Sequence, residues 1–241
     1  MADPNGPMRL NRYISNAGIC SRREADVLIE SGAVTVNDEV VVVLGARVLP
    51  TDVVKVGGDT IKPGKKRYVL INKPKGVIAA MEDAGGKRTL QDLLKGKFKE
   101  VLTPVGKMDR EATGLMLLTN DDEMAQRLLH PRNIIRKLYH VTLVEKVNPR
   151  HVEEIAEGVM IEEGMVRAHN ISYVGEERRQ IGLEVNSNRS RIVERLFEHF
   201  GYHIAKIDRV TLGHLTKKDL PRGYFRELTE AEVNLFRMTT T

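Results

Sequence analysis

The chain has 241 residues, with 38 Lys and Arg against 33 Asp and Glu, one Cys and no Trp. At 41% hydrophobic and 29% charged it is expected to fold into one or two globular domains, which excludes fibrous and disordered classes. Cys20 has no partner for an internal disulfide, no apolar run nears the ~18 residues of a membrane span, and the polar start MADPNGP lacks a signal-peptide core. A cytoplasmic protein is the expectation.

The net charge of +5 permits an anionic partner without requiring one. Its distribution says more. Met8 to Arg23 holds Arg9, Arg12, Arg22 and Arg23 with no acid, although residues 1–66 carry nine basic and eight acidic side chains overall. Such a stretch suits a docking face for phosphates; a solvated helix face is the commoner fate of the same pattern.

Residues 1–7, with Pro4, Gly6 and Pro7, read as an unstructured tail. Leu10, Tyr13, Ile14 and Ala17 recur at helical spacing until Gly18 stops the turn. Ser21 opens a second helix with Glu24 as its capping-box partner; Ala25, Leu28 and Ile29 give its buried stripe and Gly32 its end. Between Ala33 and Val43, β-branched residues around Asn37-Asp38 predict a hairpin. A first domain over 8–61 therefore pairs two short helices with a small sheet. The run Lys62-Pro-Gly-Lys-Lys66 predicts a solvated linker to a second domain over 67–241.

In that second part, strands are expected at Tyr68–Ile71, Met116–Thr119, Tyr139–Leu143, Ile181–Val185 and Ile204–Leu212. Helices are expected at Leu90–Leu94, Asp122–Leu129, Arg150–Glu157 and Arg189–Phe200. The irregular alternation, with hairpin-like spacing near residues 165–185, predicts an α+β fold with a mixed or antiparallel sheet rather than a doubly wound parallel one.

Several chemistries lack their residues. His199 and His203 straddle Gly201, no H-E-x-x-H or Cys pair occurs, and no Walker-type loop or G-x-S-x-G elbow appears. Cys20, between a helix and a cap, reads as a buried structural thiol rather than a nucleophile.

The distinctive segment runs from Pro104 to Asn120. Gly106 and Gly114 frame a short loop that leads into the apolar run Leu115–Leu118, and the loop holds Asp109 between Lys107 and Arg110. Nearby cations keep a carboxylate ionised and suit a phosphate backbone. On spacing alone, a turn or cap role for Asp109 is the commoner reading.

A second cationic unit spans Asn186 to Arg195. Ile192, Val193, Leu196, Phe197 and Phe200 fall on one helix side, while Arg191 and Arg195 share another. Asn186–Asn188 offer N-caps, and an anion near the helix start would meet the dipole together with Arg189 or Arg191. The plainer reading pairs these arginines with Glu194 and Glu198. Strand alternation puts Lys137 and Tyr139 on one face, where a tyrosine can stack on a base or simply fill a half-buried site.

Together these segments resemble the bacterial ribosomal RNA pseudouridine synthases of the RsuA group, especially those modifying large-subunit RNA, over roughly residues 8–238. Ser21-Arg-Arg-Glu-Ala-Asp, Ile29-Glu-Ser-Gly32 and Val34-Thr-Val-Asn37 resemble the alpha-L RNA-binding module. Lys73-Pro-Lys-Gly76 matches the family's Lys-Pro-x-Gly segment. Gly106-Lys-Met-Asp-Arg-Glu-Ala-Thr-Gly-Leu is similar to its catalytic loop, with Asp109 at the position of the catalytic carboxylate.

The resemblance implies an α+β catalytic domain on a mixed, largely antiparallel sheet with a central cleft. It also implies cofactor-free isomerisation of uridine to pseudouridine in RNA. The carboxylate serves either by attacking C1′ or by removing a ribose proton. Arg191 matches the residue that pairs with it, and Tyr139 the one that stacks on the target base. Arg9, Arg12, Arg22, Arg23, Lys73, Lys107, Arg110, Lys137, Arg189 and Arg195 are the expected RNA contacts. The partner is ribosomal RNA, and nothing asks for more than a monomer.

Departures from the family pattern are specific. Lys107 stands where relatives usually carry Arg, and Lys lacks a planar group to insert into the stack. In the third motif Asn188, Ser190, Ile192 and Glu194 differ, and Glu194 removes a cation. The competing function is a non-catalytic rRNA-binding or ribosome-assembly factor using the same basic face. A small-molecule carboxylate hydrolase lacks its second acid in these motifs.

Overall fold

The structure is a computed structural model that describes residues 6–81, 83, 85–94, 96–133, 135–162 and 164–240. Residues 1–5 of the expected tail lie outside the described residues. The chain divides into two compact units: residues 1–67 with 96–102, and residues 68–95 with 103–241.

The first unit contains β1 (Met8–Arg9), α1 (Leu10–Asn16), α2 (Arg22–Glu30), β2 (Val34–Val36), β3 (Glu39–Val40), β4 (Arg47–Val48), β5 (Val54–Val56) and β6 (Asp59–Ile61). Gly18 takes φ +78° after α1, a conformation that costs a residue with a Cβ. The Ser21–Glu24 capping box forms in both directions and satisfies two orphan N–H donors at the start of α2. Asn37 and Asp38, at φ 52° and 67°, make the hairpin turn with the twist that suits β2 and β3. β3, β2, β5 and β6 pair antiparallel in that order. Leu10, Ile14, Ala25, Ile29, Val34 and Val54 are buried in the core. Within the stretch expected as a linker, the Gly64 N–H donates to Asn16 O at 2.7 Å, so this stretch is tied to α1 rather than freely solvated.

The second unit contains β7 (Tyr68–Lys73), α3 (Leu90–Leu94), β8 (Thr103–Pro104), β9 (Thr113–Thr119), α4 (Asp122–Leu129), β10 (Lys137–Leu143), α5 (Pro149–Glu157), β11 (Val159–Ile161), β12 (Gly164–Val166), β13 (Ala168–Tyr173), β14 (Gln180–Val185), α6 (Ile192–His199), β15 (Ile204–Arg209), β16 (Thr211–Leu212), β17 (Leu215–Thr216), β18 (Phe225–Glu227) and α7 (Glu230–Thr239). Among the described residues the main sheet runs β13-β14-β10-β15-β9-β7-β18, with β8 on β9. Its pairs are antiparallel except β15 with β9, so the fold is α+β on a mixed, largely antiparallel sheet, as expected.

Every residue of β7 and β9 is buried, which explains their near-continuous apolar runs. The unit holds two cores. One gathers Val141, Leu183, Val193, Leu196 and Phe197; the other gathers Leu70, Leu115, Leu117, Leu128 and Phe236.

Three local expectations give way to tertiary structure. Helix α6 starts at Ile192, not Arg189, because Arg191 is left-handed at φ 54°, ψ 26°. Asn186–Asn188 therefore cap nothing; Asn188 instead donates to Leu129 O at 2.9 Å. The strand expected over Ile204–Leu212 breaks at Val210 into β15 and β16, where the Val210 N–H turns to Leu138 O at 2.8 Å. The C-terminal helix α7 escaped the sequence reading, although Thr229 and Glu232 spell the capping box that opens it.

Candidate active site

Asp109 lies on the loop between β8 and β9, and the loop is held from behind. At the end of β7, Lys73 is fully buried and its Nζ donates to Pro74 O at 3.2 Å, Val77 O at 2.8 Å and Arg110 O at 3.1 Å. The Gly76 N–H donates to the same Arg110 carbonyl at 2.9 Å, and Arg110 Nε returns a bond to Gly76 O at 3.1 Å. The residue after Asp109 is thus clamped by the Lys-Pro-Lys-Gly turn. Burial pushes Lys73 down to about 8, against the upward pull of the Glu111 and Asp109 carboxylates. Lys73 was expected to contact RNA; its interior position makes it a positioning group instead, since each of those carbonyls needs its proton.

The other side of the loop enters β9 through Gly114, at φ +109°. A Cβ there would stand 2.3 Å from Arg209 O and 2.5 Å from Arg209 N, so only glycine lets β9 and β15 approach this closely.

Arg191 closes the site from the α6 side. Its Nε lies 3.0 Å from Asp109 Oδ2 and its Nη2 3.2 Å from Glu198 Oε1. The Asp109 and Arg191 side chains keep 42% and 46% of their surface exposed, so the carboxylate is both paired and reachable. The two residues meet because Arg191 is not on the helix face shared with Arg195. The left-handed backbone, at a cost of ~1–2 kcal/mol, aims the guanidinium at the loop.

Tyr139, half-buried on β10, faces two adjoining cavities. One is walled by Val105, Leu117, Leu128, Leu212 and Phe236, residues on or packed against the second core. The other holds Asp109, Arg191, Ala112, Ile192 and Ile207, the last three from the first core. Lys107, Tyr139, Arg189 and Arg209 line both, so the candidate site occupies the seam between the two cores.

Lys137 shares the Tyr139 face as alternation predicts, yet it is buried. Its Nζ donates to Ser187 O at 2.7 Å and Asn188 Oδ1 at 2.6 Å. Burial, with a smaller push from Arg209, lowers it to about 7. It braces the segment before α6 and is not a surface cation for phosphate, which corrects the expected RNA contact.

The remaining expected contacts are accessible. Lys107, Arg110 and Arg189 are exposed and Arg195 is half-buried; in the first unit Arg9, Arg22 and Arg23 are exposed and Arg12 is half-buried. Glu194 lines the Asp109 cavity, and burial raises its carboxyl, with Asp109 adding to the effect. Among the described residues no His, Cys, Asp and Glu cluster could hold a metal, and no helix is long and apolar enough to cross a membrane.

Arg209 escaped the sequence reading. The available signal was alternation along β15: Arg209 shares the inward side with Ile207, where an unpaired charge is costly.

Comparison with known proteins bears on this geometry. The RNA pseudouridylate synthase family profile matches residues 67–215, and the S4 domain profile matches residues 8–54. An uncharacterised RNA pseudouridine synthase of Aquifex aeolicus is 36% identical over 94% of this chain and 92% of its own length. The ribosomal large subunit pseudouridine synthase B of Bacillus subtilis is 35% identical, covering 95% of each chain. The dual-specificity RNA pseudouridine synthase RluF of Escherichia coli is 33% identical over 98% of this chain and 80% of its own. A solved pseudouridylate synthase shares the fold, with a TM-score of 0.67 at 24% identity over 95% of this chain and 99% of the other. With relatives a third identical along almost its full length, and with the synthase profile spanning the loop that carries Asp109 and the strands that carry Tyr139 and Arg209, the chain belongs to the RNA pseudouridylate synthase family and is an RNA pseudouridine synthase.

Proposed function

We propose that this enzyme isomerises one specific uridine to pseudouridine in ribosomal RNA of the large subunit, with Asp109 as the catalytic carboxylate. The observation that carries the assignment is the half-exposed Asp109 carboxylate, held 3.0 Å from Arg191 Nε in a cavity shared with Tyr139. The name of the Bacillus subtilis relative supports the large subunit as the source of substrate.

The reaction breaks C1′–N1, turns the detached uracil and joins C5 to C1′. Asp109 acts on the ribose, by attacking C1′ or by taking the C2′ proton, and either route needs it ionised. Arg191, with Nε 3.0 Å from Asp109 Oδ2, fixes the direction of the carboxylate. The target leaves its stack at a cost of a few kcal/mol, and stacking on Tyr139 at ~1–3 kcal/mol offsets much of it. Lys107, Arg110, Arg189 and Arg195 contact the RNA backbone near the target, while residues 8–61, through Arg9, Arg12, Arg22 and Arg23, grip a flanking region. The enzyme works in the cytoplasm as a monomer and without a cofactor.

Pseudouridine mapping of rRNA tests this in cells lacking the protein and in cells complemented with wild type or Asp109→Asn. One uridine loses its modification in the deletion, wild type restores it, and Asp109→Asn does not, although the purified variant still binds RNA. Full restoration by Asp109→Asn would overturn the assignment in favour of a binding or assembly role.

A further inference from the structure

Arg209 carries an inference beyond the Asp109–Tyr139–Arg191 assignment. It ends β15, opposite Tyr139 on one neighbouring strand and Gly114 on the other. Directly paired residues point to the same face of a sheet, so Arg209 and Tyr139 stand side by side. Arg209 lines both cavities at the seam, and one of them holds Asp109.

Its own bonding is incomplete. Arg209 is 5% exposed; Nε donates to Leu115 O, while Nη2 is buried without a hydrogen-bond partner. Among the described residues no carboxylate forms an ion pair with it. The buried charges it acts on are cationic too: it pushes both Lys73 and Lys137 toward their neutral forms. A guanidinium stays protonated in such a place, and an uncompensated buried charge is costly. The site therefore carries a standing demand for an anion.

The proposed reaction makes one there. When C1′–N1 breaks, the bonding pair leaves with the base, and uracil becomes an anion with its charge spread over N1, O2 and O4. At C1′ the lost pair is replaced by an Asp109 oxygen, or by the electrons of the C2′–H bond once Asp109 has taken that proton. Asp109 thus serves the ribose side and offers the departing base only repulsion. C5 then bonds to C1′ as the Asp109 oxygen leaves it, or as Asp109 returns the proton to C2′; C5 loses its proton and N1 gains one, so atoms and electrons balance.

We infer that Arg209 is a catalytic residue for the base side of the reaction: its guanidinium hydrogen-bonds a uracil carbonyl and stabilises the detached uracil anion between Tyr139 and Asp109. This rests on the uridine-isomerase reading above. Arg209 stays protonated throughout and exchanges no electrons. A donor already fixed by Leu115 and the strand register needs little reorganisation as the charge arrives.

The test uses short transcripts spanning the uridine found by the mapping, made with uridine or 5-fluorouridine at the target. Fluorine withdraws electrons and stabilises the leaving anion by itself, so the variant should be less impaired on the fluorinated RNA. Arg209→Met is expected to lower the single-turnover rate of base detachment about 100-fold on uridine and under 10-fold on 5-fluorouridine, with RNA affinity unchanged within about 2-fold. Arg209→Lys retains a cation and serves if Arg209→Met does not fold; its smaller loss must again shrink on the fluorinated RNA. Equal losses on both transcripts, or an unimpaired rate, overturn the role of Arg209. Wild type inert on both transcripts overturns the isomerase reading itself, an outcome separate from either.

Discussion

Arg191 reaches Asp109 from a left-handed backbone, with Nε 3.0 Å from Oδ2, and its other edge holds Glu198 at 3.2 Å. Local strain and the ion pair to Asp109 therefore sit on one residue. A half-exposed pair contributes only ~0.2–1 kcal/mol to stability, less than the strain costs, so folding alone gives little reason for this arrangement.

Arg191→Gly should accordingly separate stability from activity. Glycine adopts this conformation freely, so thermal stability should hold or rise by up to ~1 kcal/mol, while turnover falls at least 10-fold. Arg191→Lys keeps the charge but loses the fork, and should also lose about 10-fold in kcat with little change in KM. Melting curves beside single-turnover rates on the mapped rRNA fragment check both.

Lys73→Met distinguishes a positioning lysine from an RNA contact. It strips the proton donor from the Pro74, Val77 and Arg110 carbonyls, each bonded within 3.2 Å. A loss of about 1–3 kcal/mol in unfolding free energy is expected, together with slower turnover as the Asp109 loop loosens. The salt dependence of RNA binding should stay unchanged, since a buried lysine releases no counterion.

Replacing Arg9, Arg22 and Arg23 with Ala should do the reverse. These residues are exposed in the first unit, so stability should hold within ~0.5 kcal/mol. The slope of log affinity against log salt should fall by ~0.7–0.9 for each phosphate that the protein no longer neutralises, with the rate at saturating RNA preserved. Filter binding across a salt series reads this directly.

Gly114→Ala should be among the more damaging small substitutions. The added carbon lands 2.3 Å from Arg209 O at φ +109°, so overlap and backbone strain combine. A cost of about 2–5 kcal/mol is expected, seen as a lowered midpoint in urea.

Acid sensitivity has a local source at α7. Arg226 forks onto Glu232 at 2.8 and 2.6 Å, and these bonds hold the carboxyl at about 2. The native state binds this proton less readily than the unfolded chain. The resulting stability is present above pH 4.5 and fades as pH falls from there toward about 2. Glu232→Gln should lower the melting temperature at neutral pH and flatten its fall across that window.

What the sequence by itself determined were the features written in short-range patterns. Ser21 and Glu24 make their capping box, Asn37-Asp38 turn the hairpin, and the unbroken apolar run Leu115–Leu118 lies in a buried strand. The motif around Asp109 carried the enzyme class through resemblance. Tertiary structure decided the rest, because it depends on which strands become neighbours. Periodicity put Arg191 on a helix, whereas its pairing with Asp109 holds it outside one. Lys73 and Lys137 read as RNA contacts, the first from its motif and the second from strand alternation, yet both are buried on carbonyls distant in sequence: Arg110 for the first and Ser187 for the second. Arg209 became visible as a site residue only when β15 lay between β10 and β9, placing it beside Tyr139 and against Gly114. An isolated strand bears no mark of its neighbour, and a charge shows its purpose only once the groups it lacks are known.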